Sequence, residues 1–316
     1  MLAKSMRVAA AAAACAAIAT AAYGATHNGQ GNGRTTAQSA AGRPRAEAAP
    51  RLAQPERVPR HGLVKGMRLP VEDYMLSNTD TAQIEDARSA VESACMRQHG
   101  FTFNPPSARD TIPAGFDEAN MERRYGLADD AVARTHGYQL PGATDPSQEQ
   151  AESDAEEKAE NRTDAWDQAL DDVCIPEANK KIGVINPTDP AGELSAQSFE
   201  ATKTQAPVAK ALAAWSSCMN RAGHNFRSPL DAPAAFSPAA AAGRTVSKPS
   251  YAEVQTATAD VTCKKSSRLV VVWYKAEVAY QTQQIATHKK QLRAQKAGNT
   301  KLVDNARAVL ATSHNQ

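Results

Sequence analysis

The feature that most constrains the fold of this chain is a cysteine motif that occurs twice. Cys95 and Cys218 each open the pattern Cys-Met-x3-Gly-x2-Phe, and each is followed later by an Asp-x-x-Cys pattern that ends at Cys174 or Cys263. A motif repeated with its internal spacing is typical of duplication within a chain. We therefore expect two related modules, each carrying one pair of cysteines.

These four cysteines are expected to form disulfides, because an even number of cysteines in an exported chain indicates a disulfide framework. If each module closes on itself, Cys95 pairs with Cys174 and Cys218 pairs with Cys263. The sequence alone leaves the other two connectivities open. The first pair lies farther apart along the chain than the second, so the first module should contain an insertion.

The segment before each Cys-Met motif has the apolar spacing of a helix. The stripe residues are Ile84, Ala87, Val91, Ala94 and Cys95 in the first module and Val208, Ala211, Leu212, Trp215, Cys218, Met219 and Ala222 in the second. Gly100 and Gly223 follow these stripes and can adopt the left-handed conformation that ends a helix. The sequence predicts an all-α fold of two disulfide-linked helix-pair modules, with a long carboxy-terminal helix and a disordered amino-terminal tether.

The second cysteine of each pair is also predicted to lie on a helix. In the first module an apolar stripe beginning at Ala155 leads into this cysteine, and Pro176 should end the helix. In the second module the pattern runs from about Ser250 to about Gly298 without a turn residue. A strand over 269–273 is the alternative by propensity, but the unbroken pattern favours one long helix.

That long helix carries an apolar face that extends beyond the part its module could cover. Tyr274, Val278, Ile285 and Leu292 lie on this face. Either the acidic segment 149–170 of the same chain or a separate partner should cover it. These four residues are therefore a candidate partner-binding face.

The insertion of the first module is predicted to contain two short helices. They should span 117–125 and 130–136, and each is followed by a glycine, Gly126 or Gly137. Insertions often carry function. The apolar residues of this one are equally explained by its own packing.

The amino terminus has the layout of an export signal. Lys4 and Arg7 precede a short alanine-rich apolar run, and the run is too short to span a bilayer. We expect cleavage after Gly24 or Ala25, with no transmembrane helix in the mature chain. The alternative is a lipid anchor at Cys15. The small residues before this cysteine argue against it.

The domain organisation follows from these features. Residues 1–24 are predicted as the signal peptide and 25–68 as a disordered basic tether. Residues 69–187 form the first module with its insertion, and 188–316 form the second module with the long helix. The predicted location is secreted or extracytoplasmic, in association with the cell envelope.

Catalytic and metal-binding motifs give little support for an enzyme. His99 and His224 stand at different positions after the two Cys-Met cysteines, which argues against a repeated zinc or haem site. Acids are dense between 145 and 172, and most occupy all-round positions typical of a solvated helix rather than a glycosidase cleft. Asp171 and Asp260 repeat, and we assign them a structural role beside the disulfides. No catalytic residue, metal or cofactor is predicted.

Charge is segregated along the chain although the formal net charge is only +2. The stretch 145–172 is acidic, and the carboxy-terminal helix is basic. The basic helix could pair with the acidic one or meet an anionic polymer of the cell wall. Nucleic acid is not expected, because the chain has an export signal and its basic residues are not interleaved with aromatic ones.

Several segments stand out together: the sequence around Cys95-Met96, the Tyr125-Gly126 and His136-Gly137-Tyr138 segments, and Trp215-Ser-Ser-Cys218-Met219. With these segments the chain resembles an uncharacterised group of secreted or lipoprotein-like proteins of high-GC actinobacteria. The resemblance covers most of 69–295. It implies an extracytoplasmic location near envelope transport systems and brings no catalytic residues to carry over.

The function expected from these features is non-enzymatic binding or interaction, with an envelope protein or an anionic cell-wall polymer as partner. The alternative is a hydrolase that acts on a cell-wall polymer. Two facing carboxylates in a cleft, or a histidine beside one, would favour the hydrolase. A shallow apolar groove between helices would favour binding.

Overall fold

The computed structural model describes residues 58–108, 119, 121–141, 162–236 and 248–313. The predicted signal peptide, its cleavage site, Cys15, most of the tether and residues 145–161 of the acidic stretch lie outside these residues. Within them the fold is helical, as predicted, and no β-strand occurs. None of the helices described combines the length and apolarity that a membrane crossing requires.

The regular elements are helices joined by short turns. They are α1 (Asn78–Gln98), α2 (Asp130–His136), α3 (Asp164–Ala169), α4 (Ile175–Ile182), α5 (Pro190–Lys203), α6 (Ala206–Arg221), α7 (Tyr251–Ser267), α8 (Leu269–Thr287) and α9 (Lys289–Ser313). A π-helical turn, Leu170–Cys174, joins α3 to α4, and 3₁₀ segments occupy Pro70–Tyr74 and Pro233–Phe236.

The two Cys-Met motifs end their helices in the same way. Gly100 and Gly223 both have positive φ, 82° and 86°. The amide of the residue after each glycine donates to the methionine carbonyl, at 2.9 Å in both cases. This six-to-one bond is the Schellman motif, which satisfies carbonyls that would otherwise end the helix unpaired. The repeated motif is therefore a repeated structure.

Both predicted disulfides are present. Cys95 is bonded to Cys174 and Cys218 to Cys263, with Cα–Cα distances of 5.5 and 5.6 Å. Each disulfide ties the last turn of one helix to a second helix, and this places two covalent staples within the described part of the chain. Such staples indicate an oxidising, extracytoplasmic environment.

The principal core joins residues of both predicted modules. Its largest buried side chains include Tyr125 from the first module and Trp215 and Trp273 from the second. Trp273 stacks on Phe199 with ring centroids 4.6 Å apart. The boundary near residue 187 stays a prediction, and side chains from both sides of it meet in this core. A second cluster packs α1, α4 and α9 together through residues such as Ile84 and Leu302.

A long carboxy-terminal helix, α9, is present as predicted, but the expected unbroken run from about Ser250 to about Gly298 is not continuous. The chain breaks at Arg268, whose φ of 56° and ψ of 25° are left-handed, and again at His288, before continuing beyond Gly298 to Ser313. A left-handed non-glycine residue costs roughly 1–2 kcal/mol. The turn lets Lys264 on α7 and both Leu269 and Trp273 on α8 reach the interior. No glycine or proline marks the break, so the sequence pattern did not reveal it.

Three further expectations need correction. Pro176 does not end its helix: it lies in the first turn of α4, where a missing amide is tolerated, and the helix ends at Gly183. Residues 121–126 form turns rather than a helix, whereas the 130–136 helix is confirmed. The last part of the predicted tether is ordered, because Val64 is buried and the Leu63 amide donates to the Ala128 carbonyl at 2.8 Å.

Candidate functional site

The candidate partner-binding face lies against the interior of the same chain. Leu292 is fully buried, and Tyr274, Val278 and Ile285 are partly buried against the principal core. The Tyr274 hydroxyl donates to the Arg68 carbonyl at 2.9 Å. Whether a partner also uses this face stays a prediction.

The segments that cover this face in the structure were not predicted from the sequence. The 3₁₀ segment Pro70–Tyr74 and helix α5 pack on both α8 and α9. The Val71 amide donates to Gln281 Oε1 at 3.1 Å, and the Asn299 side chain donates to the Tyr74 carbonyl at the same distance. The acidic segment 149–170 was predicted to cover this face within the same chain. Its residues 149–161 lie outside the part of the chain that the structure describes.

A buried polar cluster is centred on Glu277. Arg124 donates to its carboxylate through Nη2 at 2.6 Å and Nε at 2.8 Å, while Tyr125 and Ser198 donate through their hydroxyls at 2.7 and 2.8 Å. Burial disfavours the Arg124 cation, but the hydrogen bond and charge of Glu277 leave the pKa of Arg124 raised. Burial and the neighbouring Glu277 raise the pKa of Tyr125 far above its usual value.

A second buried cluster surrounds Asp260. Lys264 Nζ and Trp215 Nε1 donate to this carboxylate, both at 2.9 Å, and Lys264 also donates to the Leu127 carbonyl at 2.7 Å. Burial raises the pKa of Asp260 and lowers the pKa of Lys264, because it disfavours both charges. Burial and Asp260 also raise the pKa of Tyr138.

The Tyr125-Gly126 and His136-Gly137-Tyr138 segments of the insertion lie beside this second cluster. A Cβ on Gly126 would lie 2.8 Å from Lys264 Nζ, and a Cβ on Gly137 would lie 2.7 Å from Glu253 Oε1. Both glycines also have positive φ, 77° and 57°. Glycine is therefore needed at both positions, because the backbone there approaches the buried side chains of Lys264 and Glu253 closely.

These two clusters are built for stability rather than for reaction with a substrate. Their carboxylates are buried and already accept several internal hydrogen bonds. General acid–base catalysis requires a proton-transfer group within reach of a bound substrate. Asp260 has the structural role that was predicted for it. Asp171, its counterpart in the repeat, is exposed.

A shallow groove of about 760 Å³ runs beside α1. Its lining mixes polar and apolar residues, and its single carboxylate belongs to Asp86, which accepts hydrogen bonds from the Ser107 hydroxyl and the Ala108 amide. The lining contains neither a second carboxylate nor a histidine. This arrangement lacks the feature that would have favoured a hydrolase.

A patch of exposed basic side chains lies at the start of α9, and we call it the cationic surface: Lys289, Lys290, Arg293 and Lys296, with His288 beside them. Within the described chain none of these side chains forms an ion pair, although Lys296 Nζ lies 5.8 Å from the Tyr74 ring centroid. The first turn of α9 contains no acid. Positive charges at a helix amino terminus oppose the helix dipole, by roughly 0.3–1 kcal/mol each.

His99 lies beside the first disulfide, close to both of its cysteines. Its position in the sequence did not indicate that it would lie near Cys174. A ring nitrogen of His99 and the sulfurs of Cys95 and Cys174 all lie within 4.8 Å of one another. His99 is exposed, whereas both cysteines are buried. The position four residues after Cys218 is Ala222, so the second disulfide has no equivalent group.

Comparison with known proteins adds no family. Neither family models, nor curated proteins, nor solved structures give a significant match to this chain.

Proposed function

We propose that this chain is an exported, non-enzymatic binding protein of the cell envelope, and that its partner is an anionic cell-wall polymer. The observation that carries the proposal is the cationic surface. Four neighbouring basic side chains are exposed there without intramolecular acidic partners among the described residues. Two of them, Lys289 and Lys290, lie in the first turn of α9, where positive charge is least favourable.

The export part of the proposal is supported by the sequence of the first 24 residues and by the two disulfides. The non-enzymatic part is supported by the use of buried acids as internal hydrogen-bond acceptors. Glu277 and Asp260 hold the core together and present no free oxygen to a groove. The hydrolase alternative draws no support from the described residues.

Phosphate-rich polymers suit this surface because its groups are spaced along one helix. Lys289, Arg293 and Lys296 recur at intervals of four and three residues, which places them on one side of α9. A flexible polyanion can contact such a row without a shaped pocket. Binding of this type should weaken steeply with salt, since exposed charges are screened over about 8 Å at physiological ionic strength.

Co-sedimentation with a glycerol phosphate polymer tests the proposal. The triple variant Lys289→Gln, Lys290→Gln, Arg293→Gln should bind about tenfold more weakly, because three exposed contacts of about 0.5 kcal/mol each amount to roughly one decade. The matched control is Lys180→Gln, Lys210→Gln, Arg227→Gln, which removes the same charge from other exposed positions. Equal binding by both triple variants would contradict the proposal.

A further inference from the structure

The first disulfide differs from the second in having a third potential ligand. His99 is the capping residue at the end of α1, four residues after Cys95, so its ring lies one helical turn beyond that cysteine. Cys174 brings the other sulfur from the π-helical turn that precedes α4. Two chain segments, the end of α1 and the π-helical turn, thus place two sulfurs and one imidazole nitrogen within 4.8 Å of one another.

This set of atoms matches the ligand chemistry of zinc. Two thiolates and one imidazole with a fourth open position form a known catalytic type of tetrahedral zinc site, with Zn–S near ~2.3 Å and Zn–N near ~2.0 Å. In a tetrahedron of that size the ligand atoms are roughly 3.5–3.8 Å apart. The observed grouping needs only small adjustments of side chains to reach those separations, once the sulfurs are no longer bonded to each other.

The π-helical turn is an independent sign that this site differs from an ordinary staple. Such turns are rare and occur often at functional sites. Cys174 is the last residue of the turn, whereas Cys263 lies inside the regular helix α7. An extra residue within a helical turn rotates the residues that follow it, and here it sets the direction from which Cys174 faces Cys95.

We propose that Cys95, Cys174 and His99 form a redox-gated Zn²⁺ site. While the disulfide is intact, neither sulfur is available as a thiolate. A dithiol reductant breaks the disulfide by transferring two electrons, yielding two cysteine thiols and the oxidised reductant. Zn²⁺ then displaces one proton from each thiol and takes the imidazole nitrogen as third ligand. Solvent occupies the fourth position, since His99 is exposed. This inference is independent of the polymer-binding proposal.

Metal titration of the full chain tests the site. The oxidised chain should not bind Zn²⁺ here, and the chain reduced with a phosphine should bind one Zn²⁺ in competition with a chromophoric chelator. Co²⁺ used as a probe should show a thiolate-to-metal charge-transfer band. His99→Ala should weaken binding by at least about tenfold. His224→Ala, which changes the nearest counterpart after Cys218, should leave it unchanged.

Paired cysteine variants separate this site from the other disulfide. Cys218→Ala/Cys263→Ala should still bind Zn²⁺ after reduction, and Cys95→Ala/Cys174→Ala should not. Circular dichroism on the same samples controls for folding. Equal binding by the two double variants, full binding by His99→Ala, or loss of helicity on reduction that Zn²⁺ does not restore would each overturn the proposal.

Discussion

The region around Cys95–Cys174 and the region around Cys218–Cys263 start from the same motif and are built differently. The first disulfide lies in a small cluster with Phe101, Phe103 and Trp166, beside an exposed histidine. The second borders the principal core, and Asp260 on its helix α7 is fully buried. The shared Schellman ends show what the motif encodes locally. The differences show that the surroundings of each disulfide are set by the segments that pack against it and not by the motif.

Removing each disulfide in turn gives the largest expected effect and the most direct test of this contrast. The chain-entropy model assigns about 4 kcal/mol to each of the closed loops, with the longer first loop favoured by only about 0.5 kcal/mol. Because Cys263 packs in the principal core, Cys218→Ala/Cys263→Ala should cost more than Cys95→Ala/Cys174→Ala. Urea unfolding measures both. If Cys95→Ala/Cys174→Ala lowered the free energy of unfolding more, the first disulfide would contribute more to stability than the second, against this prediction.

The repeated aspartates should respond very differently to the same change. Asp260→Asn leaves Lys264 buried without its anionic partner, and breaking a buried pair in this way costs about 3 kcal/mol or more. Asp171→Asn is the matched control. This residue is exposed, so its replacement should change the free energy of unfolding by less than about 0.5 kcal/mol. Similar losses for both variants would contradict the structural divergence of the repeat.

Alkaline pH should lower the free energy of unfolding, because two tyrosine hydroxyls are buried in the fold. Tyr125 and Tyr138 donate to acids on α8 and α7, and both have raised pKa values in the fold. Above pH 10 the unfolded tyrosines lose protons that the folded ones keep, so stability falls as pH rises. At pH 11 the loss should be about 3 kcal/mol for the two together.

Absorbance at 295 nm checks the same point in the native state. Two of the seven tyrosines should remain protonated until the chain unfolds. Tyr138→Phe should shift the alkaline unfolding midpoint upward relative to wild type. Titration of all the tyrosines near pH 10 in the folded chain would contradict the burial of their hydroxyls.

The smallest expected effect is one that the two regions share. Gly100→Ala and Gly223→Ala each place a Cβ at a left-handed position with no heavy atom within 4 Å, so backbone strain is the only cost. Each should lower stability by about 1 kcal/mol. Thermal unfolding of the two variants measures it. A difference of more than about 1 kcal/mol between them would show that the two helix ends are not equivalent.

Much of this architecture could be predicted from local sequence. The helix preceding each Cys-Met motif, its glycine end and the 130–136 helix all follow from short-range spacing. The observed disulfide pairing is the one expected if each module closes on itself, but the sequence had left two other connectivities open. The sequence did not reveal the break at Arg268, because the left-handed residue there is not one that prefers this conformation. It also did not reveal that Pro176 is accommodated after a π-helical turn, since such a turn has no apolar period of its own.

The polar clusters and the zinc ligand set could be predicted only in part. Asp260 was identified as a repeated residue beside a disulfide, but its partner Lys264 was counted only among the charges of the basic carboxy-terminal helix. Lys264 is buried because the break at Arg268 redirects α8. His99 was dismissed on its position after the cysteine, whereas its proximity to Cys174 depends on how α1 packs against the π-helical turn. Each failure came from tertiary contacts between distant segments.

The cover formed by residues 68–74 has a consequence for the order in which the molecule can assemble. Its hydrogen bonds to α8 and α9 join residues separated by 206, 210 and 225 positions. The cover lies far before its partners in the chain, so it is synthesised well before they are. It therefore cannot reach its native contacts until almost the whole chain is present. Long sequence separation slows folding. Completion of the principal core therefore waits for the carboxy-terminal helices.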